Sequence, residues 1–201
     1  MEIKKNDDMS RTFVPFYHNK TENFTVYYDY DANHFFKISK GKQHPLLPVL
    51  SGTAGVIIYS LFKDSIFNFG FDDSHSIILF SLFLGGLIAV GVIGGIMYSL
   101  KNRLNDHKIV VSLSKEELAL YLREGKKWYR STIRLLLALF ILVLLNIALL
   151  YVMPNNGLLF FTNIGLSASL IILMWGVRPI KRKIIYSQFK KEIKMNERGL
   201  L

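Results

Sequence analysis

The side chains that most often carry chemistry are present in this sequence, but their spacing matches no catalytic or metal-binding motif. The chain has no cysteine, which excludes disulfides, thiol catalysis and thiolate metal sites. Phosphate-binding glycine loops and serine-nucleophile motifs are also missing. The five histidines are too scattered for a metal site: His18, His34, His44, His75 and His107. We therefore expect a protein that is not an enzyme and that needs no metal or cofactor.

Two asparagines lie inside long apolar stretches. Asn146 is in the middle of LLLALFILVLLNIALLYVM, and Asn163 lies one turn into the next apolar stretch. Because an amide in hydrocarbon needs a partner, each is predicted to hydrogen-bond to another helix, either of this chain or of a second copy in a homo-oligomer. A direct role in binding a toxin or another ligand is the alternative.

Small residues recur one helical turn apart in two of the apolar stretches. Gly91 and Gly95 form a GxxxG pattern, and Ser51 and Gly55 have the same spacing. Such pairs let helix backbones approach closely in a membrane. The pattern predicts packing between the two helices that carry it, and the alternative is a groove that docks the transmembrane helix of a partner.

A basic tail covers residues 178–201. Its apolar residues fall roughly on one face of a helix, which indicates an amphipathic helix lying along the inner leaflet. Anionic headgroups would attract such a tail by about 1 kcal/mol per basic residue. The alternative is a signal that only sets topology. The predicted headgroup ligands are Lys181, Arg182, Lys183, Lys190 and Lys191.

The elements that position these residues are apolar and uncharged. The chain is 51% hydrophobic and 20% of its residues are charged. Four stretches nevertheless contain no Asp, Glu, Lys or Arg: residues 46–62, 76–100, 135–153 and 158–177. Each is close to the roughly 20 residues that a helix needs to cross a bilayer. A soluble domain spreads its charges more evenly. We therefore predict an all-α integral membrane protein, with a four-transmembrane-helix bundle in residues 45–177.

The basic residues predict the topology. Of the 25 Lys and Arg residues, 24 lie in residues 1–44, in the loop 101–134 or in the tail, and Lys63 lies in the remaining loop. Positive residues stay on the cytoplasmic side. The prediction is a multi-pass protein of the cell membrane with both termini in the cytoplasm. Since this pattern accounts for the net charge of +10, a nucleic-acid partner is not expected.

The segments assigned to the cytoplasm are predicted to form a small cap of a β-hairpin and helical segments. Alternating side chains and turn residues predict a hairpin over about residues 23–39, whereas residues 1–18 look flexible. KIVVSL, at residues 108–113, is predicted to be a short strand that could extend the hairpin into a small sheet. Ser114 and Glu117 have capping-box spacing, and the helix that follows either stops at Gly125 or continues into the third span.

The layout resembles the tandem five-transmembrane protein family of Gram-positive bacteria. The resemblance rests on the aromatic hairpin NFTVYYDYDANHFFKIS, the proline-containing entry HPLLPVLSG, and a basic segment that leads into a Leu-rich helix. Some members look like immunity proteins that protect a producer from a membrane-active toxin. This chain departs from the family in having four predicted spans, not five, and no family site residue can be carried over.

Three functions remain open on this evidence. The first is an immunity or protection protein that binds a membrane-active toxin within the bilayer. The second is an accessory subunit or small carrier of a membrane transport system, and the third is a bacterial membrane protein with only a structural or envelope-stress role. Ion coupling is disfavoured because the predicted spans contain no ionisable Asp, Glu, Lys or Arg.

Overall fold

The computed structural model describes residues 13–19, 21–39, 73–107 and 109–197. These residues form four strands and four helices. In chain order the elements are β1 Phe13–Asn19, β2 Phe24–Asp29, β3 His34–Ser39, α1 Ser74–His107, β4 Ile109–Val111, α2 Lys115–Val152, α3 Gly157–Val177 and α4 Pro179–Glu197.

The strands form one antiparallel sheet in the order β1-β2-β3-β4. Asn23 and Asn33 take left-handed φ angles of 53° and 52° just before β2 and β3, a conformation that asparagine tolerates better than most residues. The predicted hairpin is present as β2 and β3, and β4 extends it as the KIVVSL pattern suggested. The cap is nevertheless a four-stranded sheet and not a small hairpin.

Strand β1 of this sheet lies in a stretch that was predicted to be flexible. β1 pairs with β2 from Phe13 opposite Asp29 to Asn19 opposite Phe24. The expectation for residues 13–18 was therefore wrong. Phe13 contributes to one buried cluster with Phe36 and Ile38, whereas Val14 belongs to another, so the strand is apolar on both faces.

By length and composition, three helical stretches can cross a membrane: Ser74–Ser99, Lys115–Val152 and Gly157–Ile193. They contain the predicted spans 76–100, 135–153 and 158–177 apart from single residues at two ends. The predicted span 46–62 lies outside the described residues, so the described bundle has three membrane-like helices and not four. Many outward side chains of these helices are large and apolar, as lipid contact requires, including Leu79, Val90 and Leu137.

Helix α2 joins the basic loop to the third predicted span without a break. Ser114 Oγ accepts a hydrogen bond from the Glu117 amide at 3.2 Å, and Glu117 Oε2 accepts one from the Ser114 amide at 2.9 Å. This is the reciprocal capping box that the spacing predicted. The helix does not stop at Gly125 but continues to Val152.

The chain divides into two compact units. The first contains the sheet together with Gly94–Arg134 and Met174–Leu201, and its main core joins β1 to α2 and α4 through Phe16, Leu122 and Ile185. The second contains Leu135–Leu173 and the N-terminal part of α1. Its core is apolar and is formed by Ile77, Ile78, Leu150, Phe160 and Ile164.

Candidate functional site

The most unusual polar site of the first unit begins at an irregularity in β1. The register with β2 shifts between Pro15 and Tyr17, so Phe16 has no partner residue on β2. Proline cannot donate to a sheet ladder, and a bulge re-aims the backbone of the extra residue. The carbonyl oxygen of Phe16 instead accepts a hydrogen bond from the Tyr186 hydroxyl at 2.6 Å and one from Arg182 Nη2 at 3.2 Å.

Among the described residues, Arg182 is the largest fully buried side chain, with 0% of its surface exposed. Its Nε donates to the Tyr186 hydroxyl at 2.8 Å, so one tyrosine oxygen accepts from the arginine and donates to the strand. Nη1 of Arg182 is buried and has no hydrogen-bond partner among the described residues. A buried charge with an open donor is costly unless its surroundings compensate.

Aromatic rings supply much of that compensation. The guanidinium carbon of Arg182 lies 4.2 Å from the ring centroid of Trp128, with Tyr186 at 5.4 Å and Tyr129 at 5.8 Å. Cation–π contacts of this kind stabilise a desolvated guanidinium by up to about 2 kcal/mol each. Within the described residues, no Asp or Glu side chain forms an ion pair with Arg182. We call Arg182, Tyr186, Trp128, Tyr129 and the Phe16 carbonyl the arginine–aromatic cluster.

The cluster forces a close approach between β1 and α2. A Cβ atom added to Gly125 would lie 2.5 Å from the Phe16 carbonyl oxygen and 2.6 Å from the Tyr186 hydroxyl. Real Cβ atoms essentially never come so close to other atoms. Gly125 therefore serves as a contact surface for the strand, inside a helix that it does not terminate.

The structure separates the five predicted headgroup ligands into two groups. Arg182 is buried in the arginine–aromatic cluster and not on the surface, because its neighbours on β1 and α2 enclose it. The four lysines are exposed: Lys181, Lys183, Lys190 and Lys191. The apolar face of α4 also differs from the expectation of a helix lying on the leaflet, since Ile185, Phe189 and Ile193 pack in the core that includes the sheet.

A second cation joins β1 to the start of α4. Arg178 connects α3 to α4 with a left-handed φ of 46°, and its Nη1 donates to the Phe13 carbonyl oxygen at 2.7 Å. Its guanidinium carbon lies 5.5 Å from the ring of Trp175. Two arginines one turn apart thus bind two carbonyl groups of the same strand.

The two predicted packing asparagines lie in the second unit and bond between helices. Asn146 Nδ2 on α2 donates to the Leu159 carbonyl oxygen of α3 at 3.0 Å. Asn163 Nδ2 on α3 donates to Ser81 Oγ of α1 at 2.7 Å. These are the cross-helix bonds that an amide in an apolar environment requires, and here both are made within one chain.

The predicted small-residue pair lies elsewhere on α1. No described residue is within 4 Å of a Cβ atom placed on Gly91 or Gly95, and both positions are exposed. Ser51 and Gly55 lie outside the described residues. The close approach of α1 is at Gly85 instead, where an added Cβ atom would lie 2.0 Å from Ser167 Oγ. The Asn163–Ser81 bond is one turn away on α1, so it joins helices whose backbones are already close.

Sequence reasoning missed four of the residues that form these contacts: Phe16, Gly125, Tyr186 and Gly85. Only Pro15 offered a local signal, since proline in a strand marks an edge or a bulge. Burial of Arg182 could not be inferred from a segment in which basic residues surround it. Its partners come from β1 and α2, which are distant in the sequence.

The arrangement is suited to holding β1 against α2 and α4, through arginine hydrogen bonds, aromatic rings and close backbone contacts. The described residues contain no group of three or more His, Cys, Asp or Glu side chains that could hold a metal ion. No protein-family model, curated protein or solved structure matches this chain.

Proposed function

We propose that the chain is a non-enzymatic, multi-pass protein of a bacterial cytoplasmic membrane that binds the transmembrane segment of another protein. The partner that we favour is a membrane-active toxin, which makes the chain an immunity protein of its producer. The resemblance in layout to tandem five-transmembrane proteins supports this choice.

The observation that carries the proposal is the glycine face of α1, defined by Gly91, Gly94 and Gly95. No described residue lies within 4 Å of a Cβ atom placed on any of the three. In contrast, Gly85 is already filled by α3. Glycines one turn apart, without a Cβ layer above them, let a second helix backbone approach closely in lipid. Val92 and Ile96 beside them are exposed and apolar.

The two asparagines of the apolar helices also favour recognition by shape and not by hydrogen bonds. Asn146 and Asn163 each donate from Nδ2 to a group of the same chain, and both side chains are buried, so neither amide faces a toxin helix. Recognition by the glycine face would therefore rest on shape and close van der Waals contact. Such contacts favour a partner helix that also presents small residues.

Protection of living cells tests the proposal. The full chain is expressed in a sensitive bacterial strain, which is then challenged with the product of the neighbouring gene. We expect survival with the parent chain and killing with Gly91→Leu or Gly95→Leu, because leucine would hold a partner backbone away. Gly165→Leu is the matched control, since Gly165 on α3 is also exposed and open within the described part of the chain.

Membrane abundance and thermal stability of the variants are measured in parallel. Unchanged killing of cells that express the parent chain would contradict the immunity assignment. Equal loss of protection with Gly165→Leu would contradict the glycine face as the binding surface. Stable co-purification with a permease or transport ATPase, without protection, would support the transport-accessory role instead.

A further inference from the structure

The guanidinium of Arg182 makes its hydrogen bonds along one edge only. Nε donates to the Tyr186 hydroxyl at 2.8 Å, and Nη2 donates to the Phe16 carbonyl oxygen at 3.2 Å. The neighbouring edge is formed by Nη1 and Nη2, and Nη1 is buried without a hydrogen-bond partner in the described part of the chain. Since a guanidinium presents its N–H donors in a rigid fork, this Nη1 edge keeps parallel donors for an acceptor with two oxygens.

The positive charge at the Nη1 edge lacks a counter-ion. No Asp or Glu side chain of the described residues pairs with Arg182. The rings of Trp128, Tyr129 and Tyr186 stabilise the cation, but an aromatic ring is a much weaker acceptor for an N–H group than an oxygen. Because a charge-assisted hydrogen bond is about twice as strong as a neutral one, the Nη1 edge suits an oxyanion.

Access to the guanidinium is past the side chain of Trp128. Its ring centroid lies 4.2 Å from the guanidinium carbon, closer than either tyrosine ring. Trp128 is 38% exposed, whereas Arg182 is 0% and Tyr186 is 3% exposed. Since Trp128 is the most exposed side chain of the arginine–aromatic cluster, a rotation of its ring opens the guanidinium to solvent while the helices stay in place.

Two exposed lysines add positive charge beside the cluster. Lys127 precedes Trp128 on α2, and Lys183 follows Arg182 on α4. Neither lysine forms an ion pair with a carboxylate among the residues that the structure describes. Their electrostatic potential raises the local concentration of anions and favours the approach of an anion to this site.

The depth of the site favours phosphate among the oxyanions. The uncharged stretch of α2 begins at Leu135, and Trp128 lies seven residues before it on the same helix. At 1.5 Å per residue this distance is about 10 Å, and the headgroup region extends about 5–8 Å beyond the hydrocarbon. If α2 crosses the bilayer, Trp128 therefore lies next to the layer of lipid phosphates, where soluble phosphates can also reach it from the water.

We infer that the Nη1 edge of Arg182 is a binding site for a phosphate group, which is reached by rotation of the Trp128 ring. Two phosphate oxygens accept hydrogen bonds from Nη1 and Nη2, while Nε stays bonded to Tyr186. The phosphate supplies the negative charge that the described neighbours of Arg182 lack. The site is independent of the proposed partner helix, because none of its residues belongs to the glycine face of α1.

The fluorescence emission of Trp128 tests the site. The chain has two tryptophans, and Trp175→Phe leaves Trp128 as the only one. The full chain in uncharged detergent micelles is titrated with sodium phosphate, at an ionic strength held constant with sodium chloride. We expect a saturable change in emission with a dissociation constant of about 1 mM, together with a phosphate-dependent rise in the thermal midpoint.

Three substitutions assign the response to Arg182 and Trp128. Arg182→Lys keeps the charge but loses the fork, so phosphate should bind about ten-fold more weakly. Arg182→Met should abolish the saturable response, and a cooperative thermal transition checks that this variant is folded. Trp128→Ala removes the ring that has to move, so phosphate should bind about five-fold more tightly, as measured by titration calorimetry.

Vesicles separate the two sources of the phosphate group. The same emission change on replacing phosphatidylcholine by phosphatidylglycerol, without soluble phosphate, would assign the site to an anionic lipid. A response to inorganic phosphate but not to phosphatidylglycerol would assign it to a small soluble phosphate. Either result supports the Nη1 edge as a phosphate site.

Four results would overturn the inference. The first is the absence of a saturable response in both micelles and vesicles. The second is an equal change in emission with sodium chloride alone, which would indicate general screening. Unchanged phosphate affinity of Arg182→Lys would contradict the role of the fork, and binding by Trp128→Ala that is no tighter than by the parent would contradict the role of the ring.

Discussion

At the scale of single residues, Arg182 is the side chain whose burial most needs explanation. Removing a guanidinium from water costs several kcal/mol, and among the described residues no carboxylate offsets that cost. The charge is held by a tyrosine oxygen, a strand carbonyl and the face of Trp128. The stability of the cluster therefore depends on keeping every neutral partner in place.

Tyr186→Phe tests this dependence. The change removes the acceptor of Arg182 Nε and leaves a buried charge with one bond fewer, so we expect a loss of about 2–3 kcal/mol in the free energy of unfolding. The same change made with Arg182→Met should cost only about 1 kcal/mol, because no charge is then stranded. Chemical denaturation of the full chain in micelles measures both values.

The informative quantity is the difference between the two backgrounds. A coupling energy of about 1–2 kcal/mol is expected for side chains in direct contact. An equal cost of Tyr186→Phe with and without Arg182 would mean that the tyrosine stabilises the fold through packing alone.

At the scale of elements, local patterns predicted what local interactions determine. The Ser114–Glu117 capping box at the start of α2 could be predicted because both of its hydrogen bonds connect residues only three positions apart. The hairpin of β2 and β3 could be predicted because turn residues separate two short segments with strand-like side chains. β1 was not foreseen, since a strand that contains Pro15 and follows a polar segment is stabilised by distant contacts with β2 and α4.

Gly125→Ala tests the contact of α2 with this strand. Alanine is a better helix former than glycine by about 1 kcal/mol, so on an open helix surface the change would stabilise the protein. Here the new methyl group would collide with the Phe16 carbonyl oxygen and the Tyr186 hydroxyl. We expect a net destabilisation of about 1–3 kcal/mol, measured as a lower thermal midpoint in micelles.

Gly165→Ala is the matched control, because a Cβ atom there meets nothing within 4 Å in the described part of the chain. It should be neutral or stabilise by up to about 1 kcal/mol. If Gly125→Ala were also neutral or stabilising, that result would contradict the close approach of β1 to α2.

At the scale of the whole molecule, composition alone located the membrane-like helices. Charge is missing from long stretches because hydrocarbon excludes it, and this signal does not depend on tertiary contacts. Composition could not predict which glycine of α1 lies closest to a neighbouring helix. Gly85 and Gly91 look alike in sequence, and they differ in that the Ser167 side chain and the Ile164 carbonyl group of α3 face Gly85.

Reporter fusions test the predicted orientation. A reporter inserted after Asn155, in the turn between α2 and α3, should be active only outside the cytoplasm, whereas one fused after Leu201 should be active inside. The physical reason is the retention of Lys and Arg on the cytoplasmic side. The opposite pair of activities would reverse the orientation, and activity of both reporters on one side would exclude a membrane crossing by α3.

The bonds from α4 to the Phe16 carbonyl also set an order of assembly. Of the described elements, β1 is the first to leave the ribosome and α4 is the last. The strand can pair with β2 early, but its bulged carbonyl has no Arg182 or Tyr186 to bind until translation has passed α3. A nascent chain that stalls before Pro179 therefore leaves Phe16 and Leu122 uncovered, and proteases that recognise exposed apolar surface would remove such incomplete products.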